Sequence, residues 1–369
     1  MSPGVGSHRP IDIALVIDTL ARGGAERILV SIANELDRRR FRVHVIETRE
    51  SGDFVRELAP DVARHSLGRR TRWDIMAVRR LAALLRQNEI QVVHTHSHTA
   101  AYLMRIVGFL TRRRWVHVMH DHHGPVDESI LRWSDRWLLR KVDHYFAVSE
   151  PLRRYAADWV RIPEGRCERL ANGVPVYKSV EAPKSGTFTI AHVGRLCREK
   201  NHEMALAVAA LLRRDLPVFR WLMIGRMSSV SGQSCRESAR RMGLEDHVVF
   251  LGERDDVADL LAGAHVGVLT SRYEGLPLAL LEYMAARLPV VVTDAGDCGA
   301  TIRSSSGGVV VSCEDVDGFA SALLGFAADP SAAERAGEAN YRYVREHYNS
   351  DAMVRRVAQV YDALLSRAP

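Results

Sequence analysis

The sequence predicts an α/β protein made of two parallel sheets, each covered by helices. Three observations carry that expectation. From Ile11 onward, apolar runs of strand length alternate with segments of helical periodicity. The alternation stops over a stretch rich in Gly, Pro and Ser, residues 172–187, and then restarts. With 369 residues, each half is long enough to bury a core of its own. Strand–helix alternation of this kind favours parallel strands with helices on both faces.

Taken in order, residues 11–17 form a continuous apolar run, 25–36 carry helical spacing, and 43–47 are strand-like again. Strands are expected at 91–94, 115–119 and 144–148, with helices at 75–85 and 131–139. Past the interruption, strands centre near Ile190, Leu222, Val248, Val268, Val291 and Val309. A helical pattern runs through Met204, Leu206, Val208, Ala209, Leu211 and Leu212. The expected divisions are 1–175, 176–340 and a closing helical segment, 341–369. Two units of this type imply a cleft, and ligands belong at the carboxyl ends of the strands.

Composition narrows the function. The first 177 residues hold 29 Lys and Arg against 21 Asp and Glu, whereas the remainder hold 22 against 24. Clusters at Arg38-Arg39-Arg40, Arg69-Arg70 with Arg72, and Arg112-Arg113-Arg114 supply most of the excess. Little aromatic interleaving and no recognisable motif argue against nucleic acid, leaving solvated faces or attraction to anionic lipid. No apolar run reaches the roughly 20 residues that span a bilayer, and residues 1–10 lack the apolar core of a signal peptide. Five scattered cysteines show no metal-type pairing and suit a reducing compartment. A cytoplasmic protein is expected, with peripheral contact at the inner face of the membrane as a further expectation.

The most informative segment is Glu274-Gly275-Leu276-Pro277 followed by Glu282. It comes after a strand and a short loop, and it precedes what reads as an amphipathic helix. A Gly-Leu-Pro turn opening a helix leaves backbone N–H groups facing outward, suited to phosphate or hydroxyl oxygens. About two helical turns separate the two glutamates, which would return them to roughly one face. A solvated acidic face explains this segment alone equally well. The second patch, Gly194, Arg195, Lys200 and Asn201, places two cations between a strand end and a helix, which makes an anion site. In the first half, Gly23-Gly24 sits between the first strand and its helix, where backbone can approach a ligand. Histidines crowd the later strand ends: His94, His96 and His98, then His117, His120, His122 and His123. Alternation along a strand would let His94, His96 and His98 converge, in partial likeness to the His-x-His opening of metallo-hydrolases.

Taken together, these motifs resemble the retaining glycosyltransferases of family 4 over nearly the whole chain. Gly23-Gly24-Ala25-Glu26-Arg27 is similar to the family's first loop, Asn172-Gly173-Val174 to the segment before its linker, and residues 271–292 to its signature. Residues 346–365 are similar to its closing helix, which would cross back to the first domain. At Asp297-Cys298-Gly299 the chain departs from the family, where many members carry a glutamate. The resemblance implies a GT-B fold, two Rossmann-like domains facing across a cleft, with the acceptor on the first and a nucleotide-sugar donor on the second. It implies a donor site at Gly24, Arg195, Lys200, Arg254, Gly275, Leu276, Pro277 and Glu282, and an acceptor site at Gly23, His96 and His98. Catalytic roles fall to His120 and Glu274. The acceptor would be a carbohydrate or a lipid-linked glycan. Arg195 and Lys200 would take the place of a metal ion at the diphosphate, so no metal or other cofactor is expected. Sugar-nucleotide epimerases share the architecture and stand as the alternative. A hydrolase with a metal on the histidines is the third reading.

Overall fold

The computed structural model describes residues 9–49, 52–71, 74–112, 115–122, 136–137, 139–175, 186–227 and 229–367. Most of the expected helix at 131–139, most of the 172–187 stretch, and Arg72, Arg113, Arg114 and His123 lie outside the described residues. The chain divides into two compact units, Met1–Ala171 together with Asp351–Pro369, and Asn172–Ser350.

In the first unit seven strands, β1 (Ile11–Ile17), β2 (Phe41–Glu47), β3 (Ala63–Ser66), β4 (Val92–Thr95), β5 (Val116–Asp121), β6 (His144–Ala147) and β7 (Cys167–Arg169), pair in parallel. Their order is β3-β2-β1-β4-β5-β6-β7. Two strands, β3 and β7, were not legible in the sequence. They form the edges, with three or four residues each, mostly polar and only Cys167 buried, so they lack the apolar run that marks a central strand. One face of the sheet packs Ala14, Val16 and Val93 against Leu81 and Leu85 of helix Ile75–Gln87 and Met104 of helix His98–Thr111. Ala77, Leu81 and Leu85 recur every four residues, which gives that helix its buried stripe. Asp74 caps it by accepting from the Ala77 N–H at 2.9 Å. Removing such a cap costs about 1 kcal/mol.

In the second unit β8 (Phe188–Val193), β9 (Phe219–Ile224), β10 (Val248–Gly252), β11 (Val266–Leu269), β12 (Val290–Thr293) and β13 (Gly308–Val311) form a parallel sheet ordered β10-β9-β8-β11-β12-β13. Its core gathers Ile190, Trp221, Val268 and Val291 with Leu212 and Phe319 from the covering helices. Both sheets are doubly wound, reversing direction between β1 and β4 and between β8 and β11.

The closing segment is two helices, Pro330–His347 and Ser350–Leu365, broken at Tyr348 and Asn349. The break is fixed by hydrogen bonds to Val174, whose N–H donates to the Tyr348 carbonyl at 2.9 Å and whose carbonyl accepts from Ser350. Beyond it the chain belongs to the first unit, where Arg356 pairs with Glu168 and Tyr361 is fully buried.

Candidate functional site

A doubly wound sheet leaves a crevice where two adjacent strands send their connections to opposite sides. In the second unit that point lies between the loops following β8 and β11. The first loop carries Gly194, Arg195 and Lys200, and the second carries Ser271 and Glu274. Thr270 joins the two, its hydroxyl within 3.0 Å of the Lys200 carbonyl and 3.1 Å of that of Asn201. Asn201 adopts the left-handed conformation at φ 51° and caps helix His202–Asp215 through the Met204 N–H. Arg195 stands exposed.

Lys200 and Glu274 come together here. The ammonium lies 2.5 Å from Glu274 Oε1, and the Ser271 hydroxyl donates to the same oxygen at 2.6 Å. The two side chains are 17% and 9% exposed. A lysine with one N–H engaged keeps two more donors for an incoming anion. The backbone around Glu274 is clamped as well. Asn172 Nδ2 donates to the Leu276 carbonyl at 2.8 Å, and the Asp297 N–H donates to that of Gly275 at 2.9 Å. Gly296, at φ +57°, lies so close to the Glu274 carbonyl that a Cβ there would come within 2.1 Å. Only glycine accommodates both conditions.

Two expectations for this segment need correction. Glu274 is not one helical face with Glu282. Pro277 has extended backbone, the helix begins at Leu278, and only Glu282 lies on it, half-buried. The helix Leu278–Ala285 is also not amphipathic in its setting. Leu278, Leu280, Leu281, Tyr283 and Met284 are all buried, because it packs against β11, β12 and the helix Pro330–His347. No side chain caps its first turn, which leaves the uncapped N–H groups that the Gly-Leu-Pro motif suggests. Arg254 is exposed at the start of helix Val257–Ala262, where it forms a two-point ion pair with Asp256.

In the first unit the switch point joins the loops after β1 and β4. Gly23 has extended backbone at the start of helix Gly24–Glu35, and Gly24 is exposed. Asp18, just past β1, accepts from Thr48, Ser97 and Arg69 at 2.7, 3.1 and 3.2 Å. The three expected metal-like histidines do not converge. His98 is the first residue of helix His98–Thr111, and its Nε2 is 2.9 Å from Asp121 Oδ2, which also accepts from the Tyr145 hydroxyl at 2.5 Å. Leaving the strand for a helix ends the two-residue alternation before His98. His120 from β5 takes its place. One ring nitrogen from each of His94, His96 and His120 lies within 4.8 Å of the other two. All three imidazoles are fully buried, and burial first, then neighbouring imidazole charge, depresses their pKa values well below 6.5.

A cavity of about 1000 Å³ opens at the amino ends of β5 and β6, lined by Trp115, Asp143, Arg166, Arg356 and Leu364 among others. That is the wrong end of the sheet for a ligand held at a switch point.

Several groups at these sites escaped the sequence reading. Asp18 and Asp121 had a local signal, an acidic residue at the end of an apolar strand. Tyr283 had none, because it sits inside an apolar helical run. Its hydroxyl accepts from the Val193 N–H at 2.6 Å and donates to the Val268 carbonyl at 3.2 Å, bridging the ends of β8 and β11.

Comparison with known proteins agrees with this arrangement. Residues 22–177 match the family model described as Glycosyltransferase Family 4, and residues 187–329 match that described as Glycosyl transferases group 1. The UDP-Gal:alpha-D-GlcNAc-diphosphoundecaprenol alpha-1,3-galactosyltransferase of Escherichia coli is 24% identical over 349 residues, covering 86% of this chain and 88% of that protein. Among solved structures, HepE of Anabaena in complex with UDP-glucose superposes with a TM-score of 0.82 at 18% identity, over 96% of this chain and 100% of that one. Sucrose-phosphate synthase of Thermosynechococcus elongatus gives 0.81 at 20% identity, over 96% and 99%. The fold is that of the GT-B class.

Proposed function

This chain belongs to the family 4 glycosyltransferases, and from that premise we propose that it moves a hexose from a nucleotide-sugar donor to a carbohydrate or lipid-linked acceptor with retention of anomeric configuration. The products would be cell-surface polysaccharide or glycoconjugate. The observation that carries this reading is the Lys200–Glu274 pair at the switch point of the second sheet. The relative that acts from UDP-Gal on a diphosphoundecaprenol-linked sugar supports the choice of donor and acceptor class.

Breaking the anomeric C–O bond builds negative charge on the departing diphosphate. Lys200 and the exposed Arg195 supply positive charge where it develops, so this step needs no metal ion. Glu274, oriented by Lys200 and Ser271, accepts from hydroxyls of the transferred sugar. Glu282 accepts from the ribose, and Arg254 lies toward the base. Backbone of Gly275, Leu276 and Pro277 and the uncapped turn after it face the donor, with Gly24 against the diphosphate. On the acceptor side the reading assigns Gly23, His96 and His98. His120 is assigned to orienting the sugar near the reacting carbon, and its ring is fully buried in this structure.

A place on the inner face of an anionic membrane completes the reading. No described helix is long and apolar enough to cross a membrane. The support is a surface of the first unit: Phe109 is 84% and Leu110 63% exposed at the end of helix His98–Thr111, next to Arg112. Arg105 of that helix lies over the exposed ring of Trp137. Apolar side chains beside arginines suit a headgroup boundary.

The test is a screen of nucleotide sugars for thermal stabilisation, followed by NMR of the product. A donor at 100 times its Kd should add about 2.7 kcal/mol of stability. An inverted anomeric centre, or no stabilisation by any nucleotide sugar, would overturn the assignment.

A further inference from the structure

Three histidines of the first unit form a closed box in which four of the six ring nitrogens have no partner among the described residues. His94 and His96 alternate along β4 and its exit, so they share one face of the sheet. The register pairs His94 with Val118, which brings His120, two residues further on, to the same face of the neighbouring strand. The ring centres are 4.4 Å apart for His94 and His96, 5.5 Å for His94 and His120, and 5.4 Å for His96 and His120. Phe146 and Tyr361 close the box, their rings 5.9 and 5.8 Å from that of His94.

The hydrogen bonding is one-sided. Tyr361 holds His94 through Nδ1 at 2.6 Å, and His122 holds His96 through Nδ1 at 3.1 Å. The other nitrogens, Nε2 of His94 and Nε2 of His96, are buried without a partner among the described residues, as are both nitrogens of His120. Taking four nitrogens out of water in one place without replacing their hydrogen bonds costs stability. The structure returns nothing for that cost unless something else binds there.

We propose that His94, His96 and His120 form a three-imidazole site for a divalent transition metal, with zinc the ion that this donor set fits. With a metal about 2 Å from each nitrogen, tetrahedral ligation would set the ring centres roughly 5 Å apart, as the box already has them. The ligating nitrogens would be the orphaned ones. Tyr361 and His122 fill the place that outer hydrogen bonds occupy around metal-bound histidines, fixing ring orientation from the far nitrogen. The ion would staple the ends of β4 and β5. It would also leave the second nitrogen of His120 as an N–H donor of fixed direction. The site shares His96 and His120 with the acceptor side of the proposed sugar transfer, but metal content and spectra test it without reference to that activity.

The experiment uses the full chain without a polyhistidine tag, expressed in zinc-supplemented medium and desalted. Elemental analysis should find about one zinc per chain. After chelation, Co²⁺ should give the intense visible absorption of a four-coordinate ion, bleached by added Zn²⁺. His96→Gln should abolish both signals. Tyr361→Phe should weaken metal binding about 10–100-fold, as loss of an outer partner does. His120→Cys keeps three ligands and should add a thiolate charge-transfer band to the cobalt spectrum, which tests the site even where His96→Gln does not fold. Folded wild-type chain with under about 0.1 metal per chain, cobalt bands that survive His96→Gln, or a His120→Cys spectrum without the thiolate band would each overturn the site.

Discussion

At the switch point of the second sheet the side chains of Lys200 and Glu274 are paired. Lys200 meets Glu274, Ser271 joins the same oxygen, and Thr270, Asn172 and Asp297 satisfy the surrounding carbonyls. At the switch point of the first sheet the picture is split. Asp18 and Asp121 are well supplied with donors, yet His94, His96 and His120 keep buried nitrogens with no partner among the described residues. The difference separates two kinds of preorganisation. A charged pair with spare donors can receive an anion as it stands, because the carboxylate already holds the ammonium in place. An unpaired imidazole cluster is poised for something that supplies its missing partner. The proposed donor site therefore needs no rearrangement of the second unit's loops, whereas the histidine cluster of the first unit must gain a ligand or move.

The sharpest way to break this contrast is to remove the cation. Lys200→Ala should lower turnover with saturating donor by about 2–4 kcal/mol in the barrier, the range for other charge-stabilising donors. Arg195→Ala should act in the same direction. Turnover unchanged in Lys200→Ala would end the assignment of the diphosphate site.

A second test asks how far the pairing of the second unit depends on pH. His202, directly after Asn201, is buried and stacked on His192 at 4.8 Å. Burial first, and the Lys200 charge next, push its imidazole down to about 4. Between pH 6.5 and 4 the unfolded chain binds a proton that the folded chain refuses. Stability is thus whole above about pH 6.5, falls as the pH drops, and levels off below about 4, with a total loss of about 3 kcal/mol from this residue. Urea unfolding across that range should show a shallower slope in His202→Gln. An identical slope would remove His202 from the account.

On the first unit, His120→Ala should reduce transfer by roughly tenfold or more, about 1.4 kcal/mol or greater, while donor affinity stays within about twofold. Equal losses in both would move His120 out of the reacting centre. The smallest effect is expected at the membrane. Arg112→Glu should weaken binding to anionic vesicles at low salt by about 1 kcal/mol or somewhat more, and leave nucleotide binding unchanged. Absence of vesicle binding by the wild-type chain at low salt would favour a soluble acceptor.

The local sequence determined a good deal of this molecule. Central strands such as β1, apolar but for Asp12, and β12 announce themselves because burial on both faces demands a nearly continuous apolar run. Arg195, Lys200, Glu274 and the histidines were recognisable as candidates because they sit immediately past such runs, where a parallel sheet exposes its carboxyl ends. Which candidates meet was not legible. Lys200 and Glu274 are 74 residues apart, His94 and Tyr361 are 267 apart, and His120 replaces His98 in the cluster. Those partnerships follow from strand order and register. Local periodicity says that a strand exists, whereas its neighbour is chosen by the packing of the whole sheet and its covering helices, at a cost in chain entropy that no short segment records.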